Sequence, residues 1–347
     1  MHTKKVLMVI YNTPPLKSGA AKQALLLFNE LKKDINIDIL SIDSENINSK
    51  SHKRIFIGKN FFHKIYSIFY ITWIISFNKY DVIHHISLTK YTFISVLLSK
   101  LFGKKVIAKM TMFNYDDPNA LNAKGIFVRF KRLIYKKLNN WIAIAPGMVS
   151  DKYKNINFIP NAVDIPTNKL SQKNENIFLC SGVICKRKNQ IKVLEFWKKI
   201  ELDNKYKNSK LIFIGSFNND YSEYDKYYVE QFLEYSKTFN NVKIIGHADN
   251  VKDYLKQSNF YISFSTLEGL SNSLLEALAY GLYPIVYDKD KNTLIKELYY
   301  DGYYFNDFND LNFKLINTTD KNRIIDILIK HYSLNTIKRK YLRIYND

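Results

Sequence analysis

Two glutamates, Glu268 and Glu276, bracket the string Gly269, Leu270, Ser271, Asn272, Ser273, Leu274 and Leu275, which follows the strand-like run Phe260 to Phe264 and opens a helix-like run. Ser271 or Ser273 can cap that helix, and Ser273 with Glu276 three residues on has capping-box spacing. Backbone amides at such a helix start face the carboxyl end of the strand, where α/β sheets bind ligands and the helix dipole favours an anion by about 0.3–2 kcal/mol. A diphosphate suits those amides. Two carboxylates beside a diphosphate would repel it, so Glu268 and Glu276 fit this chemistry only where each accepts hydrogen bonds from hydroxyls, such as those of a ribose and a hexose. Taken alone, the pair also fits a capping box closed by Glu276 and a solvated loop residue at Glu268.

The elements that must hold this segment follow from the apolar pattern. In the first half, short runs rich in Val and Ile alternate with helix-period segments, which predicts buried parallel strands at Val6 to Ile10, Ile35 to Leu40, Asp81 to His84, Val106 to Met110 and Trp141 to Ala145. The spacing predicts a helix over Ala21 to Leu31, with Leu25, Leu26, Phe28 and Leu31 on its buried face. Two prolines, Pro160 and Pro166, mark a linker. Strands recur beyond it at Ile177 to Cys180, Leu211 to Ile214, Val242 to Ile245, Phe260 to Phe264 and Pro284 to Tyr287. The expected architecture is therefore α/β, with two Rossmann-like doubly wound domains, 1–164 and 165–347, and a cleft between them.

The length of 347 residues suits two such domains, and 46% hydrophobic residues supply a core for each. Net charge is +20, carried unevenly: residues 1 to 164 hold 25 Lys and Arg against 10 Asp and Glu, the remainder 27 against 22. A basic first half attracts nucleic acid, anionic lipid or phosphorylated small molecules, and charge alone does not rank them. Tyrosines spread evenly along the chain argue against a nucleic-acid surface. Cys180 and Cys185 match neither a zinc nor a redox spacing and read as reduced core thiols. The run Val6 to Tyr11 is too brief for a secretory signal, which with the reduced thiols points to the cytosol. The longest apolar stretch, Ile65 to Phe77, is short of the roughly 20 residues a membrane span needs.

The string from Glu268 to Glu276, with Ala277, Ala279, Gly281 and Pro284 after it, resembles the signature of the retaining glycosyltransferases of family 4 (glycosyltransferase group 1), which have the GT-B fold. The resemblance implies that Glu268 contacts the donor sugar, that Glu276 binds the ribose, and that amides of Gly269, Leu270, Ser271, Asn272 and Ser273 reach sugar and phosphate. Ser181 to Gln190 resembles the family's loop after the first strand of its second domain, with Gly182 in the turn and Lys188 at its phosphate-binding lysine. An ammonium about 4 Å from a phosphate oxygen is worth on the order of 4 kcal/mol at an effective dielectric near 20, enough to stabilise a leaving nucleoside diphosphate. Lys188 and Glu268 are thus the candidate catalytic pair. Val183 stands where the family often has Arg, and Arg187 and Lys186 are the nearby substitutes, neither at the matching position. Gly19 resembles the glycine of the turn after the family's first strand. A final helix, 334–347, is expected to cross back to the first domain.

The acceptor half resembles the family less closely. Where many members carry a histidine, this chain reads Lys109-Met-Thr111-Met-Phe-Asn-Tyr-Asp116-Asp117-Pro118. Asp116, Asp117 and His84 are the candidates to orient an acceptor hydroxyl, each also readable as a cap, turn or strand-end residue. Two segments, Lys124 to Asn139 and Phe61 to Phe77, fit equally an anionic membrane surface or packing on the sheet. The implied donor is a UDP- or GDP-sugar, and the implied acceptor a saccharide or lipid-linked saccharide. No cofactor, metal or nucleic acid is expected, and the location is cytoplasmic, with a peripheral place on the inner membrane face. A sugar-nucleotide epimerase and a non-catalytic basic binding protein are the rival functions.

Overall fold

The computed structural model describes residues 4–11, 19–42, 52–55, 61–87, 90–113, 116, 129, 132–133, 135–149, 154–166, 176–219, 221, 223–289, 291–311 and 320–347. They divide into two compact units, one of Met1–Ala162 with Leu334–Asp347, the other Val163–Ser333.

The first unit is built on β1 (Val6–Tyr11), β2 (Ile37–Ile42), β3 (His52–Ile55), β4 (Val82–Ile86), β5 (Lys105–Lys109), β6 (Asn140–Ala143) and β7 (Ile156–Phe158). They form one parallel sheet in the order β3-β2-β1-β4-β5-β6-β7. The order reverses between β1 and β4, the switch point where doubly wound sheets bind ligands. Strand β1 is apolar at every early position because both faces are covered. Val6, Met8 and Ile10 pack under α1 (Gly19–Leu31), while Leu7 and Val9 pack under α2 (Phe61–Phe77) and beside Ile94 and Leu98 of α3 (Lys90–Leu101).

The buried stripe of α1 is rotated from the expected one. Ala24 and Leu27 join Phe28 and Leu31 inside, and Leu25 and Leu26 are only partly buried, because small Ala24 lets the helix approach the sheet along that side.

The second unit contains β8 (Ile177–Ser181), β9 (Lys210–Ile214), β10 (Val242–Gly246), β11 (Phe260–Ser263), β12 (Tyr283–Tyr287) and β13 (Tyr303–Phe305), parallel throughout in the order β10-β9-β8-β11-β12-β13. Its switch point lies between β8 and β11. Helices α4 (Gln190–Ile200), α5 (Lys226–Ser236), α6 (Val251–Gln257), α7 (Asn272–Ala279) and α8 (Lys321–Tyr332) connect or follow the strands. One aromatic-rich core, with Phe178, Phe196, Trp197, Phe213, Phe232 and Phe264, fills a face of this sheet.

Three strands were not expected from the sequence, and all three are sheet edges: β3, β7 and β13. Each of these three is only three or four residues long and lacks the long apolar run that marks a central strand.

The last helix, α9 (Leu334–Asn346), belongs to the first unit. Ile337, Tyr341, Ile344 and Tyr345 enter the same core as α1. Lys338 clips it to Glu30 at 3.1 Å and Asp34 at 2.9 Å of the α1 end.

Candidate functional site

The chain leaves β8 through Gly182, whose amide donates to Ile214 O at 2.8 Å. The two strand ends run so close that a Cβ on Gly215 would sit 1.9 Å from Gly182 O, and Gly215 has φ +156°. Only glycine fits there. The loop then makes a 3-10 turn at Lys186–Lys188 and enters α4 through Asn189 in the left-handed conformation. This geometry turns Lys186 outward to pair with Asp225 at 2.7 Å. Arg187 and Lys188 turn the other way, toward the loop after β11.

That loop is tied to the first by Thr266 N, which donates to Arg187 O at 2.8 Å. Glu268 lies beyond it. Its Oε2 accepts from Arg187 Nη1 at 2.7 Å and from Lys188 Nζ at 3.0 Å. Arg187 also donates to Leu267 O at 3.2 Å and grips Glu223 from Nε and Nη2 at 2.9–3.1 Å. A planar guanidinium can serve two carboxylates in this way where a lysine cannot. Burial pushes the Glu268 carboxyl up, but the Lys188 and Arg187 charges outweigh it and hold it below the usual range. Glu268 is therefore an ionised acceptor at neutral pH.

Cys185 donates to Glu223 Oε2 at 3.1 Å, and burial pushes its thiol up to about 11. Both cysteines are unbridged and buried.

Helix α7 starts just past Glu268. Ser271 is its N-cap, accepting from Leu274 N at 3.4 Å. The expected alternative, a capping box of Ser273 and Glu276, does not form. Ser273 instead accepts from the Tyr261 hydroxyl at 2.9 Å and donates to Ser181 O at 3.3 Å, fastening the helix start to the end of β8. In an α-helix the amides of the first turn have no intrahelical acceptor. The first turn of α7 lies beside the switch point, with Gly269 and Leu270 leading into it. Glu276 lies one turn inside the helix and is partly exposed. Its charge reaches Lys252, which is held by Asp164 at 2.8 Å.

The structure thus brings Gly182, Lys188, Glu268 and the start of α7 together at one switch point. The sequence pointed to Arg187 only as a substitute cation, and Glu223 carried no signal, since it lies 36 residues beyond Arg187.

The acceptor candidates of the first unit come out differently. His84 is fully buried on β4 beneath α9, with Nδ1 2.7 Å from the Tyr345 hydroxyl and its ring 5.3 Å from that of Tyr341. Burial, then the charges of Lys109 and His85, hold its pKa well below the ordinary value. It is a neutral core residue and is withdrawn as an acceptor group. Asp116 is also buried, and both of its oxygens are taken. Thr111 N, Met112 N, Thr111 Oγ1 and Ser87 Oγ donate to it at 2.8–3.0 Å. It braces the loops after β4 and β5 and offers no open oxygen to a substrate.

Asp117 lies outside the described residues, as does much of Lys124 to Asn139. Of the latter, Tyr135 and Leu138 are buried and Leu133 is exposed. Gly19 is the first residue of α1. Lys109, which the sequence had not singled out, ends β5 only 5% exposed, and burial lowers its ammonium to about 7. Among the described residues no group of three His, Cys, Asp or Glu is placed to hold a metal, and no helix is long and apolar enough to cross a membrane.

Residues 164–314 match the family described as glycosyl transferases group 1. A capsular polysaccharide biosynthesis glycosyltransferase of Staphylococcus aureus, CapH, is 30% identical over 140 residues, 39% of this chain and 37% of that protein. An uncharacterized glycosyltransferase of Methanocaldococcus jannaschii is 24% identical over 216 residues, 55% of this chain and 50% of that one. The matches thus span half or less of these curated relatives. Among solved structures, a glycosyltransferase of Rickettsia africae superposes with a TM-score of 0.74 at 16% identity, covering 99% of this chain and 98% of its own. HepE of Anabaena, in complex with UDP and glucose, superposes with 0.73 at 12%, covering 100% of each chain. The likeness to solved structures runs over the whole chain and shows the shared two-unit fold, while the family match covers less than half of the chain, a segment that contains Lys188 and Glu268.

Proposed function

We infer that the protein transfers a sugar from a nucleoside-diphosphate sugar, a UDP- or GDP-sugar, to a hydroxyl of a saccharide or lipid-linked saccharide, with retention of configuration. The observation that carries this reading is Glu268 held ionised by Lys188 and Arg187 at the switch point, beside the start of α7. Lys188 and the first amides of α7 stabilise the diphosphate as its bond to the sugar breaks. Glu268 accepts from the donor sugar's hydroxyls, and Glu276 from the ribose. The leaving phosphate oxygen takes the acceptor's proton on the face from which it departs, so the reading needs no protein nucleophile and no metal. The capsular polysaccharide role named for the Staphylococcus aureus relative supports a surface-glycan product, and the UDP and glucose named for the Anabaena structure support a UDP-sugar first.

The test is a panel of nucleotide sugars scored by thermal stabilisation. A ligand present at 100 times its Kd adds about 2.7 kcal/mol to stability. One UDP- or GDP-sugar should stabilise the chain and Glu276→Ala should lose that shift while melting normally without ligand. A panel with no stabilising nucleotide sugar, or full stabilisation of Glu276→Ala, overturns the donor assignment. Conversion of the donor sugar to its epimer with no acceptor present would replace transferase by epimerase.

A further inference from the structure

Helix α2 faces two ways. Ile71, Ile74 and Ile75 turn into the core of the first unit with Leu7, Val9 and Ile83. On the opposite side Phe62, Tyr66, Phe69, Trp73 and Phe77 follow one another at steps of four, three, four and four residues. At 100° per residue those steps keep all five within one narrow stripe, about 22 Å long at 1.5 Å per residue. Every one is exposed: 81% for Phe62, 60% for Tyr66, 69% for Phe69, 52% for Trp73 and 76% for Phe77. Leu101, at the end of the adjoining α3, and Phe102 after it are exposed as well, at 80% and 46%. A monomer in water rarely displays so continuous an apolar surface without a use for it.

Charge selects the occupant. Between positions 52 and 110 the sequence has ten Lys and Arg, of which Lys109 is buried, and one acidic residue, Asp81. Asp81 is already engaged, its Oδ2 accepting from Lys5 N at 2.7 Å. Lys79 follows α2 directly and is exposed. Phe102 also lines a groove of about 820 Å³ with Lys4, Lys104 and Lys105 at the amino edge of the sheet, where Asp81 and Asp347 lie too. A second copy of the chain would bring the same positive charge against itself. An anionic bilayer brings the opposite charge and a headgroup layer in which Trp, Tyr and Phe are at home. At 17 residues α2 is too short to span, so it would lie in the plane of the interface.

We propose that the aromatic stripe of α2, with the lysines beside it, is a docking surface for an anionic lipid bilayer. The proposal concerns the first unit alone and does not rest on the donor reading of the second.

Tryptophan fluorescence tests it directly, because the chain has three tryptophans and Trp141 and Trp197 are buried at 1% and 0% while Trp73 is exposed. Phosphatidylglycerol vesicles at low salt should shift Trp73 emission to the blue and a brominated acyl chain should quench it. Phosphatidylcholine vesicles should do neither, and salt near 1 M, where the Debye length is about 3 Å, should reverse the effect. Lys79→Glu keeps the reporter and should weaken binding. Phe69→Ser with Trp73→Ser, read by cosedimentation, should weaken it by roughly tenfold or more with an unchanged melting temperature, since both side chains point to water. Unchanged Trp73 emission on phosphatidylglycerol, or equal binding to phosphatidylcholine, overturns the proposal. So does sedimentation equilibrium showing a dimer that Phe69→Ser dissociates, which would make a second copy the occupant.

Discussion

At the switch point of the second sheet, between β8 and β11, Arg187, Lys188 and Glu268 meet within hydrogen-bonding distance, and Glu223 closes the group from outside. Near that of the first sheet, between β1 and β4, three of the described titratable groups are folded inward: His84 under α9, Lys109 at 5% exposure, Asp116 saturated by four donors. Both sheets are parallel and reverse at the same place in their strand order. The difference lies in what covers the strand ends. In the second unit the loops after β8 and β11 tie to each other through Thr266 and leave their charges facing each other. In the first, the chain's final helix covers the β4 face and makes His84, in the middle of that strand, part of the core. One scaffold therefore supports a charged site or a buried brace, and only the loops and the covering helix decide which.

The largest expected effect comes from removing one cation of the charged site. Lys188→Ala leaves Arg187 to neutralise Glu268, so the loop should keep its shape and bind donor. Turnover of the stabilising nucleotide sugar should fall by roughly 10²–10³, the loss usual for a deleted group that stabilises developing charge. Full turnover in this variant would mean that Lys188 serves the loop and not the leaving diphosphate, and the contrast between the two switch points would lose its chemical meaning.

Legibility followed the same divide. Lys188 and Glu268 could be found because each lies in a loop directly after an apolar run that had to be a central strand. Their contact, across 80 residues of sequence, came from the parallel pairing of β8 with β11. Glu223 could not be found, since its loop has no periodicity and its role depends on where Arg187 points. His84 misled for a related reason. Its burial is imposed by Tyr341 and Tyr345, some 260 residues away, and nothing local to β4 announces that a helix from the chain end will cover it. Lys109 did carry a signal: it lies two residues past Ile107 on the same side of β5, and Ile107 is core. A lysine continuing an inward-facing apolar series is a buried lysine unless the strand ends first.

Lys109 sharpens the comparison from the first unit's side. Burial holds its folded-state pKa at about 7, against about 10.4 for an unfolded lysine. Between those values the unfolded chain binds a proton that the folded chain does not. Stability attributable to this residue therefore rises with pH across that window by about 1.4 kcal/mol per unit, and is lowest below pH 7 where the charge must be buried. Lys109→Met removes this dependence. Urea melts at pH 6 and pH 9 should show the variant gaining most over the parent at pH 6, with the advantage shrinking toward pH 9. A constant difference would mean that the ammonium keeps its ordinary pKa, and that this strand end displays a charge after all.

The smallest expected effect separates holding from binding within the second unit. Ser271→Ala deletes the N-cap of α7 and its contact with Ser273 Oγ at 3.0 Å. Lost caps cost about 1 kcal/mol, which for a unit of this size lowers the melting temperature by roughly 2–4 °C. If the start of α7 were only a structural joint, as Asp116 is in the first unit, donor affinity would fall no further than that loss explains. A helix start whose amides hold a diphosphate depends more sharply on its cap, because the cap fixes the direction in which those amides point. Calorimetric titration of the stabilising nucleotide sugar should therefore show affinity dropping by more than the tenfold equivalent to about 1.4 kcal/mol, and a drop confined within it would make α7 a brace like its counterpart.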